Sequence, residues 1–349
     1  MKNILILLFI IMIILFSTGM LNAETAEYSL AEIIELAEKK NTSLESAELA
    51  KDKAGLELKK LKSQNELNQH HSKKIEAEIN SLTTEQEYKQ QHSQIIREII
   101  SSYLNLLALE KKQQAQEKTT AAEASRYQEM EHRYELEEIS YSDFIEQQND
   151  LRDAEIELEE LKDQYKRDLV DFKNNLKLEN DFELKNIDAP DYWEISRDEA
   201  LNQAFENSYL LKIKELEIEL AEKENEIDQL EAAEIDKQIA DISLKEAELA
   251  LEDEKEGLEK DVISAHLNLE QAAERIDLQQ KRVETAENDL DRVKKEAELG
   301  STTQNDIQQS EAAFLTQQAQ YIEMISNYYT AAEELASLLN LEAGVSIDE

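Results

Sequence analysis

The chain has 349 residues, of which 34% are charged, and it contains only five glycines and one proline. Its formal net charge of −41 argues against nucleic acid or an anionic lipid surface as a partner, because both require a positive field. Turns usually need glycine or proline, so their scarcity predicts few turns and long helices. The acidic residues are spread along the chain, which is typical of a solvated surface; the alternative is that some carboxylates line a channel that attracts cations.

The first element is an apolar run from Ile4 to Phe16, preceded by Lys2 and followed by small and polar residues up to Ala23. This layout is typical of a secretory signal peptide. A membrane-spanning helix needs about 20 apolar residues, which is more than this run provides. We therefore predict a signal peptide over residues 1–23 and an exported protein, with an uncleaved anchor as the alternative. The chain has no cysteine, which excludes disulfides and a lipid on an N-terminal cysteine.

The remainder of the chain contains an internal repeat. The stretch Ile99–Leu106 (IISSYLNL) recurs as Val262–Leu269 (VISAHLNL), 163 residues later. Near the start of each unit, Ser29–Leu44 matches Ser196–Leu211. Repetition on this scale predicts that one structural unit occurs twice. The predicted domains are a signal peptide (1–23), helical repeat 1 (24–180), a linker that holds the only proline (181–195), helical repeat 2 (196–342) and a C-terminal tail (343–349).

Apolar residues within each repeat recur at the period of a coiled coil. In the second repeat, residues seven apart form one stripe, and small or polar residues follow three positions later. The first stripe is Val262, Leu269, Ile276, Val283, Leu290 and Ala297, and the second is Ala265, Ala272, Gln279, Ala286 and Val293. Tyr and Phe continue the period elsewhere, which favours a packing seam over a ligand site. We predict an all-α fold of long antiparallel coiled-coil helices in two tandem repeats.

Helix starts are predicted where Ser or Thr stands three residues before an acidic residue or Gln, since the two can cap each other. Such pairs occur at corresponding places in the repeats: Ser29–Glu32 and Ser196–Glu199, Ser140–Asp143 and Thr303–Asp306, and more weakly Thr83–Gln86 and Ser243–Glu246. The last two predict a reversal near residues 80–84 and 240–244. A return helix over residues 84–135 would span about 78 Å, which fits a rod or a barrel of helices rather than a compact domain.

The ordered set of these features resembles the TolC-like outer-membrane efflux proteins. Members are tandem repeats that open with a short helix of the type Ser29–Leu44 and continue with a long helix that begins like Tyr103–Glu110. The long helix runs into a tip turn with Gly, then Ser or Thr, then Asp six residues after the Gly. The residues of the second repeat that fit this turn are Gly300, Thr303 and Asp306, and those of the first are Glu137 in the glycine position, Ser140 and Asp143.

The resemblance implies a homotrimer whose helices form a hollow helical barrel, a tunnel across the periplasm. It also implies that the tips dock onto a periplasmic adaptor that serves an inner-membrane transporter. The expected location is the periplasm and the cell outer membrane, and the expected function is efflux or type I-like export. The alternative is a structural or interaction coiled-coil protein of the cell envelope that does not transport. A third hypothesis is an exported chain whose coiled-coil repeats are unrelated to this family.

The sequence departs from the family at one place in each repeat. The family has two transmembrane strands between the outgoing and the return helix, but here residues 59–95 and 225–258 are highly charged and have a helical apolar period. The residues that show this period are Ile75, Ile79 and Leu82 in one segment and Ile235, Ile239 and Ile242 in the other. We therefore expect helical hairpins at both places, and the mode of membrane contact stays open.

The two tip turns are the candidate functional site. Their residues are Leu136, Glu137, Ile139, Ser140 and Asp143 in the first turn, and Leu299, Gly300, Thr302, Thr303 and Asp306 in the second. Ser140, Asp143, Thr303 and Asp306 are explained by helix capping alone, and Gly300 suits a left-handed helix end, but capping does not explain the exposed pattern beside them, Leu136 and Ile139 in one turn and Leu299 and Thr302 in the other. We expect apolar residues repeated at the end of a rod to form a docking surface for the adaptor.

No arrangement of residues in the sequence predicts catalysis. The five histidines have no metal-ligand spacing, and adjacent His70 and His71 point to different faces of a helix, so surface histidines are favoured over a metal site. Glycine-rich phosphate loops and nucleophile motifs are also absent from the sequence. We expect no enzyme activity, no cofactor and no resident metal.

Overall fold

The computed structural model describes residues 26–63, 69–180, 182–231 and 233–341. The predicted signal peptide and C-terminal tail lie outside the described residues. In chain order the elements are β1 (Ala26–Tyr28), α1 (Leu30–Lys40), α2 (Thr42–Lys62), α3 (Gln69–Glu135), α4 (Tyr141–Leu176), β2 (Phe182–Leu184), α5 (Arg197–Asn207), α6 (Tyr209–Glu231), α7 (Glu234–Glu298) and α8 (Gln304–Leu338). The described chain is almost entirely helical, which confirms the predicted all-α class.

The long helices pack side by side in the order α4, α3, α8, α7, and α2 and α6 lie against α3 and α7 respectively. Helix α6 also contacts α3, so the second half of the chain holds the first at two places. The core lies where these helices meet and is formed by fully buried side chains that include Ile100, Tyr103, Ile276, Ile325 and Leu335. Burial of each such side chain stabilises the fold by about 1.5–3 kcal/mol relative to exposure.

The predicted seam of the second repeat is confirmed along most of its length. The buried residues of α7 are Val262, Ala265, His266, Leu269, Ala272, Ile276, Gln279 and Leu290. All except His266 are predicted seam positions. The small side chains at this seam allow α7 and α8 to approach closely.

A buried glutamine at the aligned position of each half bonds a backbone carbonyl of the neighbouring long helix. Gln116 Nε2 donates to the carbonyl oxygen of Ala154 at 3.1 Å, and these residues are 38 positions apart. Gln279 Nε2 donates to the carbonyl oxygen of Gln317 at 3.2 Å, again across 38 positions. A buried amide that loses its partner costs about 1–3 kcal/mol, so these bonds oppose sliding of one helix along the other.

A short parallel ribbon forms at the start of the predicted linker. β2 lies within residues 181–195 and pairs with β1, so that Tyr28 stands opposite Leu184. The Tyr103 hydroxyl lies 3.0 Å from the Tyr28 carbonyl oxygen and 2.7 Å from that of Lys185, and burial raises the pKa of Tyr103, which keeps the donor protonated. His266, which aligns with Tyr103, contacts the other end of the linker through Nε2 and the Ile195 carbonyl oxygen at 2.8 Å.

The predicted reversals near residues 80–84 and 240–244 are wrong. Helix α3 already begins at Gln69 and passes through residues 80–84, and α7 begins at Glu234 and passes through Ser243. The Thr83 hydroxyl donates to the Ile79 carbonyl oxygen at 2.9 Å. Ser and Thr can bond a carbonyl four residues earlier inside a helix, so their spacing from Glu or Gln does not by itself locate a start.

Helical hairpins do occupy the described parts of residues 59–95 and 225–258, as predicted. These segments belong to α2 and α3 in one half and to α6 and α7 in the other. The Lys62 ammonium forms an ion pair with the Glu78 carboxylate at 3.0 Å, which joins the two arms of the first hairpin. Among the described helices, none combines the length and the apolar character needed to cross a membrane.

Candidate functional site: the two helix-turn tips

The two predicted tips lie at the same end of the molecule. We define tip 1 as residues 136–143, between α3 and α4, and tip 2 as residues 299–306, between α7 and α8. Ion pairs of Lys112 with Glu323 at 2.6 Å and Lys118 with Glu311 at 2.7 Å show that α3 and α8 are antiparallel. Lys294 of α7 lies 3.5 Å from the same Glu311, whereas Gln279 bonds Gln317, so α7 and α8 are antiparallel as well. Helices α3 and α7 therefore run in the same direction and end near each other.

Tip 1 begins with a tight helix end. The amide of Glu138 donates to the Arg133 carbonyl oxygen at 2.9 Å. The amide of Glu137 donates to the Tyr134 carbonyl oxygen at 2.9 Å. This pair of bonds is the Schellman motif, which places one residue in the left-handed region. Glu137 is that residue, with φ of 60°. The predicted equivalence of Glu137 with the glycine of the turn is thus confirmed in the backbone.

Tip 2 ends its helix with the same Schellman motif and has glycine, the residue most common there, in the left-handed position. The amide of Ser301 donates to the Glu296 carbonyl oxygen at 2.9 Å, and the amide of Gly300 donates to the Ala297 carbonyl oxygen at 2.9 Å. Gly300 has φ of 73°. A glycine adopts this conformation without the steric conflict that a Cβ causes.

Reciprocal caps then start the following helices, as predicted. At tip 1, the Ser140 hydroxyl donates to Asp143 Oδ2 at 2.8 Å, and the Asp143 amide donates to Ser140 Oγ at 3.2 Å. At tip 2, the Thr303 hydroxyl donates to Asp306 Oδ2 at 2.7 Å, and the Asp306 amide donates to Thr303 Oγ1 at 3.3 Å. These bonds satisfy backbone groups that a helix start otherwise leaves unpaired.

Asp306 has one more donor than Asp143. The hydroxyl of Thr302 donates to Asp306 Oδ2 at 2.6 Å, alongside the hydroxyl and the amide of Thr303. Hydrogen bonds from Thr302 and then from Thr303 lower the pKa of the Asp306 carboxyl from 3.8 to about 2. Tip 2 therefore holds a carboxylate that stays ionised well into the acid range.

The apolar residues of the tips differ in exposure. Leu136 is 56% exposed and Leu299 is 82% exposed, so each presents an isobutyl side chain to solvent. Ile139 and Thr302 are only half-buried, which makes them a smaller part of the surface than the sequence predicts. The exposed leucines are the apolar feature that the two tips share.

An aromatic cluster at tip 1 is absent from the sequence-based description of the site. The ring of Tyr134 stacks on that of Phe144 at 5.1 Å and lies 6.0 Å from that of Tyr141, while Tyr127 lies 5.6 Å from Phe144. Tyr127 and Tyr134 are seven positions apart and share one face of α3, which is the signal in the sequence, whereas Tyr141 and Phe144 join them from α4 across the turn. The aligned residues at tip 2 are Leu290, Ala297, Gln304 and Ile307.

Two of the described histidines, His92 and His266, contact other protein groups. His92 Nε2 lies 2.7 Å from Glu38 Oε1, and His266 Nε2 contacts the Ile195 carbonyl oxygen. Within the described ranges, no group of three or more His, Cys, Asp or Glu side chains is placed to hold a metal ion. Each tip thus places an exposed leucine beside a capping aspartate, Asp143 at tip 1 and Asp306 at tip 2.

Solved structures of outer-membrane channels share this fold. The chain is similar to the outer-membrane channel OprN, with a TM-score of 0.64, 10% identity and coverage of 89% of each chain. It is also similar to the outer-membrane channel CmeC of Campylobacter jejuni (TM-score 0.63, 10% identity, coverage of 89% of this chain and 85% of CmeC). A third is the outer-membrane protein VceC of Vibrio cholerae (TM-score 0.61, 12% identity, coverage of 90% and 96%).

These similarities confirm the predicted resemblance at the level of the fold, over about nine-tenths of the chain. The three solved structures are those of two outer-membrane channels and one outer-membrane protein. No protein-family model matches the sequence, and no curated protein matches it.

Proposed function

We propose that this protein is a TolC-like channel component of an envelope efflux or type I-like export system, located in the periplasm and at the cell outer membrane. The observation that carries the proposal is the pair of capped turns at one end of a channel-type fold, each with an exposed leucine at its apex. Helix caps need no exposed leucine. A partner that covers both leucines at once would remove that apolar surface from water.

The proposed assembly is a homotrimer whose long helices enclose a tunnel. Support comes from the fold shared with outer-membrane channels and from the row of long helices α4, α3, α8, α7, which has the form of a wall segment. The proposed partners are a periplasmic adaptor, which docks at tips 1 and 2, and the inner-membrane transporter that the adaptor serves. Substrates would then leave through the tunnel without entering the periplasm.

The docking proposal is tested by Leu136→Asp combined with Leu299→Asp. Both side chains are exposed, so we expect helicity and oligomer size to stay nearly unchanged. We expect capture of the adaptor, measured by co-purification from the native envelope, and export of the native substrate to be lost. The matched control is Leu49→Asp combined with Leu56→Asp, which places the same charges on exposed leucines of α2, away from the tips.

Three results decide between the hypotheses. Loss of capture in the tip variant but not in the α2 control supports docking at the tips. Normal capture by the tip variant means that the adaptor binds elsewhere. A deletion strain that exports normally, with a protein that captures no adaptor, favours the alternative function, a structural coiled-coil protein of the envelope.

The salt dependence of assembly is a second test of the proposed oligomer. Chains with a net charge of −41 repel one another when packed side by side. The Debye length falls from about 10 Å at 0.1 M salt to about 3 Å at 1 M, so assembly should strengthen as NaCl is raised. Sedimentation equilibrium at several NaCl concentrations measures this, and an oligomer that dissociates progressively with added salt would contradict the proposal.

A further inference from the structure

A cavity with charges of both signs lies between three of the long helices, far from the tips. It has a volume of about 450 Å³ and is lined by residues of α3, α7 and α8. The charged residues are Arg97 of α3, Asp261 of α7 and Glu334 of α8. Neutral polar side chains, among them Ser264 and Ser337, contribute to the lining. The cavity thus has the size of a small-molecule site and polar walls.

The three charges face the same cavity but do not pair with one another. An ion pair needs a nitrogen–oxygen distance of about 4 Å or less. Within the described residues, Arg97, Asp261 and Glu334 take part in no ion pair. Farther along the same two helices, Lys112 of α3 does pair with Glu323 of α8, at 2.6 Å. The gap between the three charges therefore leaves room for a molecule that pairs with both signs at once.

The guanidinium of Arg97 is held from beneath by a buried serine. Ser93 is 3% exposed, and its hydroxyl donates to the Glu333 carbonyl oxygen at 3.5 Å. The same hydroxyl oxygen accepts a hydrogen bond from Arg97 Nη1 at 2.9 Å. A guanidinium has five N–H donors, and this contact uses one of them. The serine thus orients a flat donor group whose geometry matches that of a carboxylate.

The cavity lies on the face of the helix row that is opposite the ribbon and the linker. Tyr103 contacts the ribbon, and Arg97 lies about 120° from it around α3. His266 contacts the linker, and Ser264 lies about 160° from it around α7. Because a ribbon inside a tunnel would obstruct it, the face that bears the cavity is the one that lines the tunnel of the proposed channel.

We propose that this cavity is a transit site for cargo that carries both a carboxylate and an ammonium group, the chemistry of short peptides with free ends. Arg97 binds the carboxylate, and Asp261 and Glu334 receive the ammonium group between them. A ligand with both groups satisfies all three charges, whereas a ligand with only one of the groups leaves part of the site unpaired. The inference deepens the proposed export function by naming its cargo class, and it rests on that proposal for the passage of cargo along the tunnel.

Binding of dipeptides to the purified full-length chain tests the site. The probe is alanyl-alanine with free ends, whose methyl signals report binding in saturation-transfer difference NMR. Two matched probes are N-acetyl-alanyl-alanine, which lacks the ammonium group, and alanyl-alanine amide, which lacks the carboxylate. We expect each blocked dipeptide to bind about tenfold more weakly than alanyl-alanine, because each loses a charge-assisted hydrogen bond.

Substitutions in the cavity should change which dipeptide is preferred. Arg97→Gln should weaken binding of alanyl-alanine about tenfold and remove the preference for the free carboxylate. Asp261→Asn combined with Glu334→Gln should instead remove the preference for the free ammonium group. Arg97→Lys keeps the positive charge and should retain the carboxylate preference, which separates loss of charge from damage to packing around the half-buried Arg97. Arg275→Gln, at an exposed arginine of α7 outside the cavity, is the control and should bind like the unchanged protein.

Three results would overturn the inference: no saturable binding of alanyl-alanine, equal binding of the three dipeptides, or an unchanged preference in Arg97→Gln. The measurement needs neither adaptor nor transporter, so it is independent of export. Selective binding by a protein whose deletion leaves export intact would contradict the proposed function and leave the site standing. Failure of alanyl-alanine to bind a protein that export requires would contradict the site alone.

Discussion

Tips 1 and 2 have nearly the same backbone but different side chains. Both end a long helix in a Schellman motif and start the next helix with a reciprocal cap. Tip 1 places Glu137 in the left-handed position and encloses its turn with aromatic rings, whereas tip 2 uses Gly300 and a third donor to Asp306. The comparison shows that capping geometry fixes the shape of the turn, and that packing or hydrogen bonding can stabilise it.

The largest expected difference concerns the aromatic cluster. Tyr134→Ala gives tip 1 the residue that tip 2 has at Ala297, and it removes the ring stacked on Phe144. We expect a loss of about 2 kcal/mol in the local free energy of opening, since a partly exposed tyrosine costs less than a fully buried aromatic residue. Hydrogen exchange at the start of α4 measures this, with Glu135→Ala as the control on the same helix end. A loss below about 0.5 kcal/mol would show that the rings do not stabilise the turn.

The caps are expected to contribute equally at the two tips. Ser140→Ala and Thr303→Ala each remove the side-chain oxygen that accepts the amide of the third residue of the next helix. We expect each to lose about 1 kcal/mol. The same hydrogen-exchange measurement, applied to the first turns of α4 and α8, compares the two losses. Ser142→Ala, two positions beyond the cap residue, is the control that should have little effect. A loss at only one tip would mean that the shared geometry does not imply shared energetics.

Swapping the two residues in the left-handed conformation should change the stability of the tips by less than loss of a cap, and in opposite directions at the two tips. Glu137→Gly should stabilise tip 1 by about 0.5–1 kcal/mol, because the left-handed conformation disfavours a side chain by somewhat more than glycine loses in backbone entropy. Gly300→Glu should destabilise tip 2 by a similar amount. Hydrogen exchange at residues 136–138 and 299–301 is the measurement, and Glu138→Gly is the control. If Glu137→Gly is neutral or destabilising, contacts of the Glu137 side chain offset its backbone strain.

The smallest effect concerns the acid response of the two tips. The pKa of Asp306 is about 2 instead of its ordinary 3.8, so its contribution is fully present above about pH 4 and is lost as the pH falls toward 2. We expect the first turn of α8 to open over this range, and we expect Thr302→Val to shift the midpoint upward. NMR titration of the Asp306 carboxyl carbon measures it directly. A midpoint near 3.8 in the unchanged protein would show that the threonine bonds are not formed.

Periodicity and spacing predicted much of the fold and the backbone of the tips. The seam from Val262 to Leu290, the caps at Ser140 and Thr303, and the glycine-like position of Glu137 follow from side-chain chemistry within a few residues. These features depend on residues that are close together in the sequence. They can therefore be predicted from the sequence alone.

Features that depend on tertiary contacts were not predicted. The helix start predicted at Thr83 is wrong because the helix is continuous there, and the Thr83 hydroxyl bonds a carbonyl oxygen of the same helix. The pairing of β2 with β1, and the role of Tyr103 beneath it, join residues that are more than 70 positions apart. The packing order of α4, α3, α8 and α7 likewise depends on contacts between residues far apart in the sequence.

The buried glutamines also fix a length. In each half, the amide bond joins residues 38 positions apart across the tip. The outgoing helix runs about 19 residues, or about 28 Å, beyond the glutamine, and the return helix starts about 13 residues, or about 20 Å, before the carbonyl partner. A slip by one heptad would leave Gln116 and Gln279 without their carbonyl partners. Each glutamine thus fixes the register of its hairpin, and the arms beyond the bond have the same lengths in both hairpins.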